Sequence, residues 1–284
     1  LRLGGRLDRQ RAYRADVAGL SRTDCSGSAV MEVVQRLGDP WQFVLSLGNT
    51  SRIPNADELY IEAPHGATGI FQIPNPRLGV ERATSIELRI QRQGERLQLS
   101  VSAYYRDFNG YVFLENQGFE IDGLTAYALV QRDAEFIGGE AEASWTFYAE
   151  PERSGQLRVF GDTIRATDKG RNQPLPRIPP FRIGGSIEFS IDRWITELAA
   201  LHAFAQDRVP REVFGTLAYQ SPSAAYSLLT FRMERRFSFD QAEGVVGLEV
   251  SNLLDEEARQ HTSFLKDVAP LPGRSLQLRL QLDF

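Results

Sequence analysis

The sequence predicts an all-β fold, a transmembrane antiparallel β-barrel, from three observations. Apolar and polar residues alternate with a period of two in many short runs, short turns alternate with long links, and all three tryptophans fall close to short turns. Period two is the strand period, because successive side chains of an extended chain point to opposite faces. A membrane strand needs only about 9 to 11 residues, of which alternate ones meet lipid. The chain can therefore be 42 % hydrophobic and 24 % charged, the balance of a soluble domain, and still cross a bilayer.

The chain opens directly in a strand-like pattern over 1–13, without a methionine or the basic-then-apolar layout of a secretion signal, so it is expected to be cut from something longer. Strands are expected next over 29–38, 41–52 and 84–93; in the last, Ile86, Leu88 and Ile90 oppose Glu87, Arg89 and Gln91. Two long strands, 96–115 and 125–149, precede 156–167, 181–191 and 194–206. Phe181, Ile183, Gly185, Ile187, Phe189 and Ile191 make one apolar face. In the strand over 225–239, Leu229, Phe231, Met233, Phe237 and Phe239, with Arg235 among them, oppose Thr230, Arg232, Glu234 and Ser238. Strands over 243–257 and 274–284 complete the chain, the latter alternating Leu276, Leu278, Leu280, Leu282 and Phe284 with Gln277, Arg279, Gln281 and Asp283. The count is about twelve strands and no convincing helix.

Tight turns are expected at Gly38-Asp39-Pro40, Gly94-Glu95, 151–155, Asp192-Arg193 and Asp240-Gln241-Ala242, and long links near 14–28, 53–83, 168–180, 207–224 and 258–273. One rim of short turns and one of long loops is the asymmetry of an outer-membrane barrel. Trp41, Trp145 and Trp194, joined by Phe147, Tyr148, Phe237, Phe239 and Phe284, mark an aromatic girdle at the short-turn rim. Tyr104, Tyr105, Phe108, Tyr111 and Phe113 mark the opposite girdle, on a strand long enough to project beyond the bilayer.

The formal charge of −5 with scattered basic residues argues against nucleic acid as a partner. Cys25, the single cysteine, reads as a loop residue in a polar segment; pairing with a cysteine outside this chain is the alternative. No nucleophile elbow, Cys/His pairing or acid–base dyad points to catalysis, and no cofactor is expected. Carboxylates such as Glu87, Glu188 and Glu234 lie on polar faces and are expected to line a hydrated lumen.

Ser51-Arg52-Ile53-Pro54-Asn55-Ala56-Asp57-Glu58-Leu59-Tyr60 and the stretch from Asn75-Pro76-Arg77 to Ile86-Glu87-Leu88 resemble barrel motifs of TonB-dependent receptors. Gly139-Glu140-Ala141-Glu142 and Ser251-Asn252-Leu253-Leu254-Asp255 follow in that family's order, so the resemblance spans nearly the whole chain. It implies that residues 1–284 are one domain, the C-terminal portion of a barrel of about 22 strands, with the plug domain absent. It further implies an outer-membrane active-transport receptor that captures a scarce nutrient, driven by the TonB energy-coupling complex acting on the plug. The terminal Phe284 resembles the signal read by the barrel-assembly machinery, and also reads simply as the end of a strand.

Glu58-Leu59-Tyr60, Pro64-His65-Gly66-Ala67-Thr68 and His261-Thr262-Ser263-Phe264-Leu265-Lys266-Asp267 resemble the zinc-uptake receptors. Zinc takes imidazole, thiolate and carboxylate ligands, usually four in a tetrahedron. His65 and His261 with Glu62 and Asp267 are the candidate ligands for transported zinc, provided their loops converge; solvated loop histidines are the plain alternative. His202 is expected at the lipid headgroup level. A receptor for a siderophore, haem or other large chelate is the other reading, with Tyr60, Phe71, Phe119, Arg208 and Arg211 as its loop residues. From other classes, a barrel enzyme would need a catalytic group at the outer rim, and a soluble all-β lectin an apolar interior.

Overall fold

The computed structural model describes residues 1–13, 21–213, 216–217, 220–239 and 242–283. Twelve strands run in chain order: β1 Arg2–Tyr13, β2 Ser21–Arg36, β3 Trp41–Arg52, β4 Glu81–Gln93, β5 Leu97–Ile121, β6 Leu124–Glu150, β7 Arg153–Asp168, β8 Arg182–Ile191, β9 Trp194–Ala203, β10 Tyr226–Phe239, β11 Ala242–Ser251 and β12 Ser275–Asp283. Each pairs antiparallel with the next, so the sheet is one continuous meander from β1 to β12.

The register explains the alternation. Phe43, Ile90, Val101, Ala141, Gly161, Ile183 and His202 sit opposite one another across seven strands, β3 to β9, and so share a face. Ile90, Val101 and Ile183 on that face are 43 to 44 % exposed. One residue along, Val44, Arg89, Ser102, Glu140, Asp162 and Arg182 form the row of the other face. That face is knitted by side chains: Gln42 to Gln91 at 2.7 Å, Arg158 to Glu142 at 2.8 Å, Arg182 to Asp162 and Arg89 to Glu87. An apolar face left bare and a polar face bonded within itself suit a wall with lipid outside and water inside.

The short-turn rim carries the girdle. Trp41, Trp145 and Trp194 are all exposed, Trp145 packs against Phe147, Phe147 against Phe189, and Phe237 against Phe239. Arg235, on the lipid-facing row, lies over the Trp194 ring at 5.2 Å. Phe284 and the turn residues Asp240 and Gln241 lie outside the described residues, as do parts of the links 14–28 and 207–224.

At the other rim the structure corrects the reading. The expected link 14–28 is strand from Ser21 onward, so Cys25 is a strand residue paired with Arg9. Strand β5 runs to Ile121, turning through Asp122 and Gly123, both at positive φ, directly into β6. An Asp-Gly pair in that conformation is a two-residue hairpin turn, its twist matched to the strands. The strands expected to reach 206 and 257 stop at Ala203 and Ser251. A one-turn helix, α1 (Ala56–Tyr60), forms where none was expected, started by a capping box in which Asn55 accepts from the Glu58 amide and Glu58 accepts from the Asn55 amide.

The projecting parts of these strands enclose two small cores. Leu59, Tyr60 and Leu78 of the β3–β4 loop pack with Ala12, Val112 and Leu129, while Leu175 and Ile178 of the β7–β8 loop pack with Ala134, Ala166, Phe108 and Phe136.

Candidate functional site

The long-loop rim is held together by the loops' own backbone and by buried charges. In the β3–β4 loop, Ala63–His65 pairs with Ile70–Ile73, and Ile70–Ile73 adds in parallel to Thr125–Ala128 of β6. Asn75 donates to the Leu129 carbonyl at 3.0 Å, and Gln131 bridges the Gly79 amide and carbonyl. Glu115 and Asp168, each nearly fully buried, are joined by Arg132, which bonds both; Arg171 adds a second bond to Glu115 at 2.6 Å. Buried carboxylates demand this, because an unpaired one is strongly destabilising.

Loops β9–β10 and β11–β12 meet in a polar cluster. His261 is 2 % exposed, and its Nδ1 lies 2.9 Å from Ser223 Oγ. The Lys266 ammonium, also buried, contacts Ser221 Oγ and pairs with Asp267 at 3.0 Å. Burial and then the Lys266 charge push the His261 pKa down to about 4, against the Asp267 charge, so the imidazole is neutral at pH 7. Burial would raise the Asp267 carboxyl, but hydrogen bonds from Lys266 and Ser221 outweigh it and hold its pKa below the usual value.

A third loop reaches the same place. The Arg177 backbone amide donates to Gln220 Oε1 at 2.7 Å, and Gln220 in turn donates to the His261 carbonyl at 3.1 Å. The Arg177 guanidinium lies 4.0 Å from the Phe264 ring centre and 6.0 Å from that of Tyr127, and the two rings meet edge to face. The β3–β4 loop closes the group, since a methyl placed on Gly69 would sit 3.5 Å from Leu265 Cδ2. Four loops and the start of β6 thus converge on a half-buried guanidinium and two aromatic rings.

Of the four residues expected to hold zinc, His261 and Asp267 share this cluster, one buried and one exposed. Glu62 and His65 lie exposed on the neighbouring loop, which touches the cluster through Gly69 and Leu265. Among the described residues no three His, Cys, Asp or Glu side chains gather in a metal-binding group. Of the residues expected to serve a chelate, Tyr60 is buried in the loop core, Phe71 is buried in the segment added to β6, Phe119 is exposed near the β5–β6 tip, and Arg211 is exposed. Arg208 packs on the outside of β7. His202 lies on the lipid-facing row as expected, bonded to Ser227 at 2.9 Å and packed on Phe204. Phe264 and Lys266 stand inside a stretch whose sequence drew attention; Arg177 and Tyr127 had no distinguishing signal, since only the fold brings them together.

A family model described as TonB dependent receptor-like, beta-barrel matches residues 1–253. A search of curated proteins finds no match. Among solved structures, the copper transporter OprC superposes with a TM-score of 0.79 at 20 % identity, over 98 % of this chain and 44 % of that one. The FrpB iron transporter from Neisseria meningitidis gives 0.68 at 14 % identity, over 98 % and 42 %. The siderophore receptor PirA from Acinetobacter baumannii gives 0.65 at 19 % identity, over 90 % and 41 %. The chain therefore spans less than half the length of these structures.

Proposed function

The chain belongs to the TonB dependent receptor-like β-barrel family, whose members are transport receptors of the bacterial outer membrane and not enzymes, and from that premise we propose that it forms part of a receptor importing a scarce metal, free or chelated. Residues 1–284 supply about twelve C-terminal strands of a barrel of about 22. Their polar wall faces a plug, the TonB energy-coupling complex drives that plug, and Phe284 serves the barrel-assembly machinery.

A chelated metal, of the siderophore class, is the cargo the geometry supports best. The observation that carries this reading is the meeting of Arg177, Phe264 and Tyr127 where the outer loops converge. An anionic, aromatic chelate is recognised by stacking and by a cation that keeps its charge. Zinc itself is the second reading, favoured by the exposure of His65, Glu62 and Asp267 on loops that touch, with a neutral His261 buried near Asp267.

Calorimetry on the complete receptor separates the two. Binding of a ferric tris-catecholate that weakens in Phe264→Ala and Arg177→Ala supports the chelate reading. Zinc binding that disappears in the His65→Ala/His261→Ala double variant supports direct metal capture. Neither probe binding would remove metal uptake altogether.

A further inference from the structure

The lipid-facing wall is not uniformly convex. Between β5 and β8 it holds a groove of about 500 Å³ lined by Leu99, Val101, Ala141, Val159, Phe181 and Ile183. The groove exists because small residues, Ala141 and Gly161, occupy the row where neighbouring strands present Ile90 and Ile183, and Ala143 follows at the next position on the same face. Among the described residues nothing fills it.

Toward the long-loop rim the groove leads to charge. Arg165 lies on the same face of β7, four residues beyond Gly161 and so about 13 Å further from the short turns. Arg208, from the β9–β10 loop, is fixed beside it by bonds to the Ala166 carbonyl and Thr167 Oγ1, both at 2.8 Å. Those two bonds leave other guanidinium donors of Arg208 uncommitted. Of the acids nearby, Asp107 is paired with Lys169, Asp133 accepts from the Gly110 amide, and Glu135 lies against Tyr105. Among the described residues neither arginine has an ion-pair partner. Thr167 lies two residues from Arg165 on the same face of β7, so its bond to Arg208 sets the two cations side by side, and partial burial and the Arg165 charge both lower the pKa of Arg208, with Glu135 opposing. Phe181 stacked on Phe204, with His202 beside it, marks this level as the membrane–water boundary.

We propose that this surface is a specific site for a phosphorylated lipid of the outer leaflet, with an acyl chain in the groove and a phosphate held between Arg165 and Arg208. Two guanidiniums against one unpaired carboxylate favour an anion, and guanidinium geometry matches phosphate oxygens in a bidentate fashion. A neutral lipid fills the groove but gains nothing from the arginines. A second copy of the chain fills the groove but leaves the cations facing each other.

The test uses the complete receptor in detergent, titrated with diphosphoryl lipid A and with the same lipid stripped of its phosphates, and read by native mass spectrometry. The native receptor is expected to retain one phosphorylated lipid and to bind the stripped form at least about tenfold more weakly. Arg165→Gln/Arg208→Gln should remove that preference, and Ala141→Leu should weaken both lipids by filling the groove. Arg89→Gln, on the lumen face, should change neither, which separates a lipid site from general charge loss or misfolding. Equal binding of both lipids, an unchanged preference in the double arginine variant, or dimerisation through this face in place of lipid binding would overturn the proposal.

Discussion

The strands of this sheet live in two solvents, and the same strands solve the two differently. In the band next to the short turns, the wall is one residue thick, with Leu88 and Ile183 bare on one side and Arg89 and Arg182 bonded to carboxylates on the other. No core is needed there, because lipid takes the place of a packed interior. In the crown beyond Tyr105, water meets both faces and the hydrophobic effect acts again. There β5, β6 and β7 bury Ala134, Ala166 and Leu175 and enclose Glu115 and Asp168. Period two in the band is a statement about lipid, while in the crown the stabilising contacts are tertiary.

The contrast is tested most strongly in the crown's buried triad. Arg132→Ala leaves Glu115 and Asp168 short of their shared partner and is expected to cost about 3 to 5 kcal/mol, read by denaturant unfolding of the complete receptor. In the band, Leu88→Arg places a charge on the lipid face and is expected to cost about 2 to 4 kcal/mol. Gln91→Arg, on the lumen face, should lie far below that in the same assay; equal costs would break the inside–outside assignment.

A pH titration sharpens the crown further. His261 has a folded pKa depressed from 6.5 to about 4, so the fold favours its neutral form. The stability it contributes is complete above about pH 6.5 and is lost as pH falls toward 4, at most about 3 kcal/mol. Hydrogen exchange of residues 252–274 should therefore accelerate between pH 6.5 and 4, and His261→Gln should flatten that dependence. The smallest effect is expected at the rim of the band, where Arg235→Gln removes a cation–π contact with Trp194 worth about 0.5 to 1 kcal/mol.

This division explains what the sequence disclosed. The ends of β3, β4, β8 and β12 in the band were legible to within a few residues, because lipid forces alternation. Ser21–Gly27 was not, since a strand with water on both sides needs no apolar face and is held by its pairing with β1. Two signals were present and passed over: the Asp122-Gly123 turn, and the Asn55 to Glu58 spacing that starts α1. The candidate site was legible only in part. The stretch 261–267 stood out, with Lys266 close to His261 in the chain, but the partner that holds His261, Ser223, comes from another loop 38 residues away.

The parallel addition of Ile70–Ile73 to β6 also carries an order of events. Asn75 and its partner Leu129 are 54 residues apart, and neither that bond nor the Ile70–Thr125 pairing can form until the β5–β6 hairpin exists. The β3–β4 loop can form α1 and its own short hairpin alone, but its seat on the barrel depends on a later part of the chain. The strands of the band need only their neighbours in the chain, while the crown also needs contacts between distant segments. A chain stalled before residue 124 would carry sound strands and an unfinished mouth.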